Sequence, residues 1–249
     1  MGMQSTALVT GTRGGIGSAI VRRLKHDGYS VCGIDLPGLP DRQEDWPLEL
    51  DLLDFAKDLQ KREKTLRLVR EWLGERTLDV LVNNAAYQFV SKEHPLPVEE
   101  FDKSYGVNVL APYYLIAGLA PNLTPRTASV VNIGSIHNHL TKPGFLVYAH
   151  TKAALASITR GLALDYGDRF RVNCIEPGAV NTAMLSDGFR GNDEEKKHNL
   201  ESYNPQNRIA TPEEIAELVL LISSSKVQFL HGSCIDISGA LSCRLHDPI

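Results

Sequence analysis

The chain has 249 residues, of which 43% are hydrophobic and 22% charged, and these values predict one α/β domain with a sizeable core. Its formal net charge of −4 argues against the basic surface that nucleic-acid binding requires. No apolar run is long enough to cross a bilayer, and no signal peptide precedes the first predicted strand. The sequence therefore predicts a cytoplasmic protein with no membrane or nucleic-acid partner.

The first predicted unit is a strand, a tight turn and a helix. The apolar run Thr6 to Thr10 stops at the turn that contains Gly11, Gly15 and Gly17, and a helical pattern starts at Ile16. Glycines let a pyrophosphate approach the helix N-terminus, where free N–H groups and the helix dipole favour an anion. The G-x-x-x-G-x-G spacing differs from the common dinucleotide fingerprint, and no Lys-Ser or Lys-Thr follows, which excludes a P-loop.

The second predicted strand runs from Tyr29 to Ile34 and closes on Asp35. An acidic residue about twenty positions beyond such glycines is placed to bind the adenosine ribose hydroxyls. Its carboxylate would repel a 2′-phosphate, and the following Leu36 and Pro37 supply no cation, so NAD is favoured over NADP. Arg13, in the turn, is the one residue that favours NADP. The alternative for Asp35 is a role in starting the turn that follows.

Strands and helices alternate along the rest of the chain. This pattern predicts a Rossmann-like, doubly wound sheet of seven parallel strands with helices on both faces, in one domain over residues 1–249. A polar segment at 181–207 is the least regular part and is predicted to be a flexible lid. The other predicted elements are a third strand ending at Asp51, a helix from Phe55 to Leu73, a strand from Leu78 to Val82, a helix from Pro97 to about Ala120, a strand from Ser129 to Ile133, a helix from Tyr148 to about Tyr166, a strand from Arg171 to Ile175, a helix starting at the Thr211 capping box and a strand from Ser233 to Ile237.

Tyr148 and Lys152 are the clearest chemical pair. Residues four apart on a helix share one face, so the ammonium can lie beside the phenol. A nearby positive charge lowers the pKa of a phenol from its usual value of about 10, which would let Tyr148 exchange a proton with a substrate oxygen. For an isolated pair, chance is the better explanation. The residues predicted at the strand ends, including Asn83, Ser135 and Pro177, make the functional interpretation stronger.

These residues together resemble the short-chain dehydrogenase/reductase family, from Thr6 to about Ala240. The resemblance rests on the glycine turn, on Asn83-Asn84-Ala85, on Tyr148-x-x-x-Lys152 with Ser135 upstream, and on Pro177-Gly178. It implies hydride transfer between a nicotinamide and a carbon that bears a hydroxyl or a carbonyl.

The resemblance also implies the role of each residue. Tyr148 is the acid/base, Lys152 lowers its pKa and holds the nicotinamide ribose, Ser135 binds the substrate oxygen, and Asn108 supports a water that links Lys152 to solvent. A homotetramer or homodimer is implied as well. The residues expected to bind the cofactor are Gly11, Arg13, Gly15, Ile16, Gly17, Asp35, Asp51, Asn84, Tyr148, Lys152, Pro177, Gly178, Val180 and Thr182.

Substrate contacts are expected from His137, Tyr87 and Met184. Polar groups beside Ser135, such as those of His137-Asn138-His139, suit a sugar, polyol or hydroxy acid, although solvent-facing histidines are an equal alternative. Two loop histidines lack a third ligand, and the four cysteines (Cys32, Cys174, Cys234 and Cys243) show no metal-binding spacing, so no metal site is predicted.

The sequence allows three alternative functions to be weighed against this one. An NADP-dependent carbonyl reductase shares every motif above. A dinucleotide-binding regulator without turnover has no need of Tyr148 and Lys152. A sugar-nucleotide epimerase of the extended type needs a larger substrate domain than the residues after Pro177 provide.

Overall fold

The computed structural model describes residues 4–38, 42–187, 193–224 and 226–244. Over these residues the strands form one parallel sheet in the order β3-β2-β1-β4-β5-β6-β7, with helices on both faces. None of the helices in these ranges is long and apolar enough to cross a membrane. The strands are β1 (Thr6–Thr10), β2 (Ser30–Asp35), β3 (Trp46–Glu49), β4 (Val80–Asn83), β5 (Ser129–Ile133), β6 (Arg171–Pro177) and β7 (Cys234–Ile237); the helices are α1 (Gly15–His26), α2 (Leu52–Lys57), α3 (Leu59–Leu73), α4 (Val98–Tyr105), α5 (Ala111–Leu119), α6 (Leu146–Asp165), α7 (Ala183–Asp187), α8 (Asp193–Tyr203) and α9 (Pro212–Ser223).

The fold class predicted from the sequence is confirmed. Central strands such as β1 and β5 are buried along their whole length, as expected of parallel strands with helices on both faces. Apolar residues of α2, α3, α5 and α6 fill the core on one face of the sheet, and those of α1 and α9 fill the core on the other. The strand order reverses between β1 and β4, so a crevice for a ligand is expected at the carboxyl ends of these two strands.

The single helix predicted from Phe55 to Leu73 is wrong, because the chain forms two helices there. Asp58 has an extended backbone, and its carboxylate accepts hydrogen bonds from the amides of Gln60 and Lys61 at the start of α3. An aspartate in this position satisfies the free N–H groups of a new helix. The helical spacing of the apolar residues continues across the break, which hides it in the sequence.

The prediction that the segment at 181–207 is irregular is also wrong. Helices α7 and α8 lie within it, and only residues 188–192 fall outside the described residues. Helix α8 has no apolar face. It is rich in Glu and Lys, and both residues have a high helix propensity. The capping box predicted at Thr211 is confirmed: its side chain and that of Glu214 each bond the other residue's backbone amide.

Candidate active site

The glycine turn after β1 is shaped for close backbone approach. Gly11 has φ of 70°, and a Cβ on Gly17 would lie 1.9 Å from the carbonyl oxygen of Gly11. Neither position accepts another residue without a backbone shift. The turn leads directly into the N-terminus of α1, so its glycine backbone forms a cradle that fits a dinucleotide pyrophosphate.

The loop after β4 holds this turn in place. The Asn84 side chain donates to the carbonyl oxygens of Thr10 and Gly11, both at 3.0 Å. The hydroxyl of Thr10 accepts hydrogen bonds from the backbone amides of Asn84 and Ala85, again at 3.0 Å. The two strand ends that flank the crevice are thus tied together. The side chain of Asn84 holds the backbone of the glycine turn.

The segment after β6 closes over the other side of the turn. A Cβ on Gly15 would lie 2.7 Å from Cγ2 of Thr182, so the residue predicted to anchor the nicotinamide amide packs against the glycine turn. Gly178 follows Pro177, the last residue of β6, and a Cβ on Gly178 would lie 3.0 Å from Cα of Ser238. Val180 is buried, and Ile16 packs against the core of α1 and α9.

Two carboxylates lie side by side where β2 and β3 end. Asp35 and Glu49 are register partners in these strands. Asp35 accepts hydrogen bonds from the backbone amides of Arg13 and Leu36, both at 2.8 Å. The Arg13 side chain is only 4% exposed, and its guanidinium donates to the carbonyl oxygen of Leu36 and pairs with Glu49 at 3.5 Å. Glu49 also pairs with Arg42.

Asp51 lies at the start of α2 as its N-cap. One carboxylate oxygen accepts a hydrogen bond from the amide of Leu53 at 2.8 Å. The sequence resemblance predicts that this residue binds the cofactor, and the structure shows that its side chain also caps α2.

Tyr148, Ser135 and Lys152 converge at the carboxyl end of β5. Tyr148 and Lys152 lie in the first turns of α6, and Ser135 follows the strand and caps a short 3₁₀ turn through the amide of His137. All three side chains are buried, Lys152 with 2% and Tyr148 with 8% exposed. The Lys152 ammonium donates to the carbonyl oxygen of Ile133 at 2.8 Å and lies 5.5 Å from the centre of the Tyr148 ring.

The pKa values of this pair differ from the sequence expectation. Burial raises the pKa of Tyr148 to about 12, and the hydrogen bond with Ser135 opposes this rise. Burial lowers the pKa of Lys152 to about 8. The expected lowering of the phenol pKa is wrong for this structure, because desolvation by burial is the largest cause of the shift and raises the pKa.

Asn108 lies in a π-helical turn, Gly106–Leu110, between α4 and α5. Its side-chain amide accepts from the amide of Tyr87 at 2.7 Å and donates to the carbonyl of Tyr87 at 2.8 Å. It also donates to the hydroxyl of Thr151, the residue before Lys152, at 3.0 Å. Asn108 therefore connects the loop after β4 to α6. Single π turns of this kind are frequent at functional sites.

His137 lies against Tyr148. Its ring stacks on Phe145 with centroids 4.8 Å apart and meets the Tyr148 ring edge-on at 5.6 Å. Burial and the nearby Lys142 lower the pKa of His137 to about 4. The imidazole is therefore neutral at physiological pH. Its Nδ1 atom is hydrogen-bonded to the hydroxyl of Thr141 at 3.2 Å, so Nε2 is the ring nitrogen available to a ligand.

The other two predicted substrate residues differ in their surroundings. The Tyr87 hydroxyl donates to Glu100 at 2.8 Å, and Lys103 lies over its ring at 4.0 Å, so this side chain is engaged by α4. Met184 is exposed on α7. Sequence reasoning did not single out Thr151 or the π turn, since neither leaves a motif in the chain.

Comparison with known proteins identifies relatives over almost the entire chain. A family model described as enoyl-(acyl carrier protein) reductase matches residues 11–242. An uncharacterized oxidoreductase of Schizosaccharomyces pombe is 31% identical, with 94% of this chain and 89% of the relative covered. Carbonyl reductase [NADPH] 2 of Sus scrofa is 30% identical, covering 92% and 93%. The cyclic-di-GMP-binding biofilm dispersal mediator protein of Escherichia coli is 29% identical, covering 94% and 96%.

A solved structure extends this likeness to the fold. Ligand-free aldohexose dehydrogenase of Thermoplasma acidophilum superposes with a TM-score of 0.89 at 26% identity, covering 99% of this chain and 96% of that chain.

The fold and the site define an oxidoreductase that acts on alcohols or carbonyls with a nicotinamide cofactor. Dehydrogenase/reductase SDR family member 4 of Homo sapiens is 30% identical, with 96% of this chain and 88% of the relative covered. The chain belongs to the short-chain dehydrogenase/reductase family, as the resemblance of its motifs predicted.

Proposed function

We propose that this protein is an NAD-dependent oxidoreductase for a secondary alcohol or its ketone. The observation that carries the proposal is the convergence of Tyr148, Ser135 and Lys152 at the end of β5, on the same sheet edge as the glycine cradle. The bound nicotinamide supplies the hydride acceptor or donor. The side chains of this chain supply orientation and proton transfer.

Each catalytic side chain has a separate task in the proposal. Ser135 holds the substrate oxygen, and Tyr148 transfers the proton between its hydroxyl and that oxygen. Because the pKa of Tyr148 is about 12, the hydroxyl carries its proton at neutral pH and is ready to protonate a carbonyl oxygen during reduction. Lys152 holds the nicotinamide ribose, and Asn108 fixes the start of the helix through Thr151.

The preference for NAD is supported by the charges at the ends of β2 and β3. Asp35 and Glu49 are register partners at the ends of β2 and β3, and in this proposal their carboxylates repel an adenosine 2′-phosphate, because like charges repel. Arg13 is the residue that favours NADP from sequence, but its guanidinium is already paired with Glu49 and Leu36. Recruiting it to a phosphate would break those contacts.

Substitutions at the two carboxylates test this preference. We expect Asp35→Ala to weaken NADH binding about tenfold or more, because it removes a charge-assisted acceptor for the ribose hydroxyls. Glu49→Gln should instead strengthen NADPH binding by about three- to tenfold, because it frees Arg13 from its carboxylate. Fluorescence titration with both cofactors measures the effects. Equal losses of NADH and NADPH in Asp35→Ala, with no change in Glu49→Gln, would contradict the NAD assignment.

For the substrate, we propose a sugar, polyol or hydroxy acid. The neutral imidazole of His137 beside Tyr148 can bond a second oxygen of such a molecule. The likeness to an aldohexose dehydrogenase supports the same class. Met184 on α7, in the proposed lid of 181–207, and Tyr87 are proposed to line the rest of the pocket.

The proposed cofactor contacts follow the glycine cradle and its surroundings. Gly11, Gly15, Ile16, Gly17 and Asn84 would hold the pyrophosphate side, Asp35 and Asp51 the adenosine, and Pro177, Gly178, Val180 and Thr182 the nicotinamide.

A second candidate is a dinucleotide-binding regulator. The similarity to a cyclic-di-GMP-binding mediator of biofilm dispersal favours it, since that relative is named for binding and not for turnover. The assembled Tyr148, Ser135 and Lys152 group favours the enzyme. Substrate-dependent oxidation of NADH separates the two, because a regulator would bind the cofactor without consuming it.

We further propose that the chain acts as one NAD(P)-binding domain in a cytoplasmic homotetramer or homodimer. Leu164, Leu221 and Phe229 are exposed apolar side chains, and their burial between copies of the chain would remove apolar surface from water. Light scattering on the purified protein should give a mass of two or four chains. A single-chain mass at micromolar concentration would contradict the oligomer.

A further inference from the structure

Two paired strands carry the same short pattern of side chains. Strand β6 contains Cys174-Ile175-Glu176, and β7 contains Cys234-Ile235-Asp236. In the parallel register Cys174 faces Cys234, and Glu176 faces Asp236. Since alternate residues of a strand point to the same face, both thiols and both carboxylates lie on one face of the sheet.

Three of these side chains bring their donor atoms together. The thiol sulfurs of Cys174 and Cys234 and a carboxylate oxygen of Glu176 all lie within 4.8 Å of one another. Around a tetrahedral zinc ion, Zn–S distances of about 2.3 Å and Zn–O distances of about 2.0–2.2 Å place the ligand atoms roughly 3.4–3.8 Å apart. The observed cluster needs to contract by only about 1 Å to reach that geometry.

The charges around the cluster also suit a bound cation. Glu176 is only 4% exposed. The guanidinium of Arg160 lies 3.7 Å from the sulfur of Cys234. Two thiolates and a carboxylate leave one net negative charge on a divalent cation, which Arg160 can balance.

Two further side chains border the cluster. His139 is on the loop that follows Ser135, and its Nδ1 atom lies 4.0 Å from Oε2 of Glu176. Asp236 is exposed and bonds the backbone and the hydroxyl of Ser238. Either of them, or a water molecule, can complete a tetrahedral set.

We propose that Cys174, Cys234 and Glu176 form a binding site for a thiophilic divalent cation, with Zn²⁺ as the best match to the donor set. The sequence analysis predicted no metal site, because the ligands come from two strands that are sixty positions apart and meet only in the sheet. The Cys-x-acid pattern in two predicted strands is the signal that would have indicated it. This proposal does not rest on the oxidoreductase activity.

Metal binding to the full-length protein tests the proposal. Protein freed of metal by a chelator and kept reduced is dialysed against Zn²⁺, and separately titrated with Co²⁺, whose spectrum reports thiolate ligands. We expect one Zn²⁺ per chain and a sulfur-to-cobalt charge-transfer band. Affinity should fall as the pH is lowered, because protons compete for the thiolates.

Two variants decide whether the cluster is the site. Cys234→Ser changes a half-buried thiol and should weaken Zn²⁺ binding at least tenfold and reduce the charge-transfer band. Glu176→Gln is a second ligand variant, and thermal unfolding of both checks that they fold. The matched control is Cys243→Ser, an exposed cysteine outside the cluster, which should bind Zn²⁺ like the wild type.

The proposal is overturned if the reduced wild type binds no Zn²⁺ in stoichiometric amount, or if folded Cys234→Ser and Glu176→Gln bind it as tightly as the wild type. It is also overturned if thiol counting in the unfolded, unreduced protein finds Cys174 and Cys234 joined as a disulfide.

Discussion

Replacing Tyr148 with phenylalanine is expected to lower kcat at least about a thousandfold, within the range that proton transfer by a positioned side chain contributes. The phenyl ring keeps the contacts with His137 and Phe145 and the buried volume, so only the hydroxyl is lost. Binding of NADH should remain within about twofold of wild type, since the glycine cradle is unchanged. Stopped-flow kinetics and a cofactor titration measure the two effects.

Tyr166→Phe is the matched control for this substitution. Tyr166 lies at the carboxyl end of the same helix, where its ring stacks on Phe170. We expect its turnover to equal that of the wild type. If Tyr148→Phe also kept its turnover to within a few-fold, Tyr148 would not be the acid/base.

Replacing Lys152 with methionine is expected to abolish turnover and at the same time to stabilise the fold by about 1–2 kcal/mol at pH 7. The ammonium is buried with a single protein hydrogen bond, to Ile133, and burial lowers its pKa from 10.5 to about 8. Holding the charged form in the folded state therefore opposes folding at neutral pH. Methionine fills a similar volume without a charge, although the carbonyl of Ile133 loses a partner, which reduces the gain.

The size of this effect changes with pH in a defined window. Because the pKa of Lys152 is about 8 in the folded state and 10.5 when unfolded, the unfolded chain binds more protons between these values. The wild type therefore gains stability relative to the variant as the pH rises from 8 to 10.5, and the difference should shrink there. Urea unfolding at pH 7 and pH 10 measures both free energies of unfolding. A variant less stable than wild type at pH 7 would contradict the proposed cost of the buried charge.

Features with local causes could be predicted from the sequence. Gly11 and Gly17 are required where the chain turns from β1 into α1, and the structure shows that no Cβ fits there without a shift. Asp35 ends β2 as its position after the apolar run indicated. The Thr211 capping box marks its helix because the interacting groups are only three residues apart.

Features that depend on contacts across the fold could not be predicted from the sequence. The break at Asp58 lies inside an uninterrupted apolar periodicity, and the π turn at Asn108 has no motif. The raised pKa of Tyr148 comes from its burial by other elements. Likewise, the ion pair between Arg13 and Glu49 needs the pairing of β2 with β3.

The most direct test of the proposed function is the oxidation of NADH by the wild-type protein with a panel of ketoses, aldoses, keto acids and simple ketones, with NADPH in parallel. We expect at least one polyoxygenated carbonyl compound to be reduced, with a higher kcat/KM for NADH than for NADPH. Tight NADH binding without consumption by any member of the panel would contradict the oxidoreductase proposal and favour the regulator.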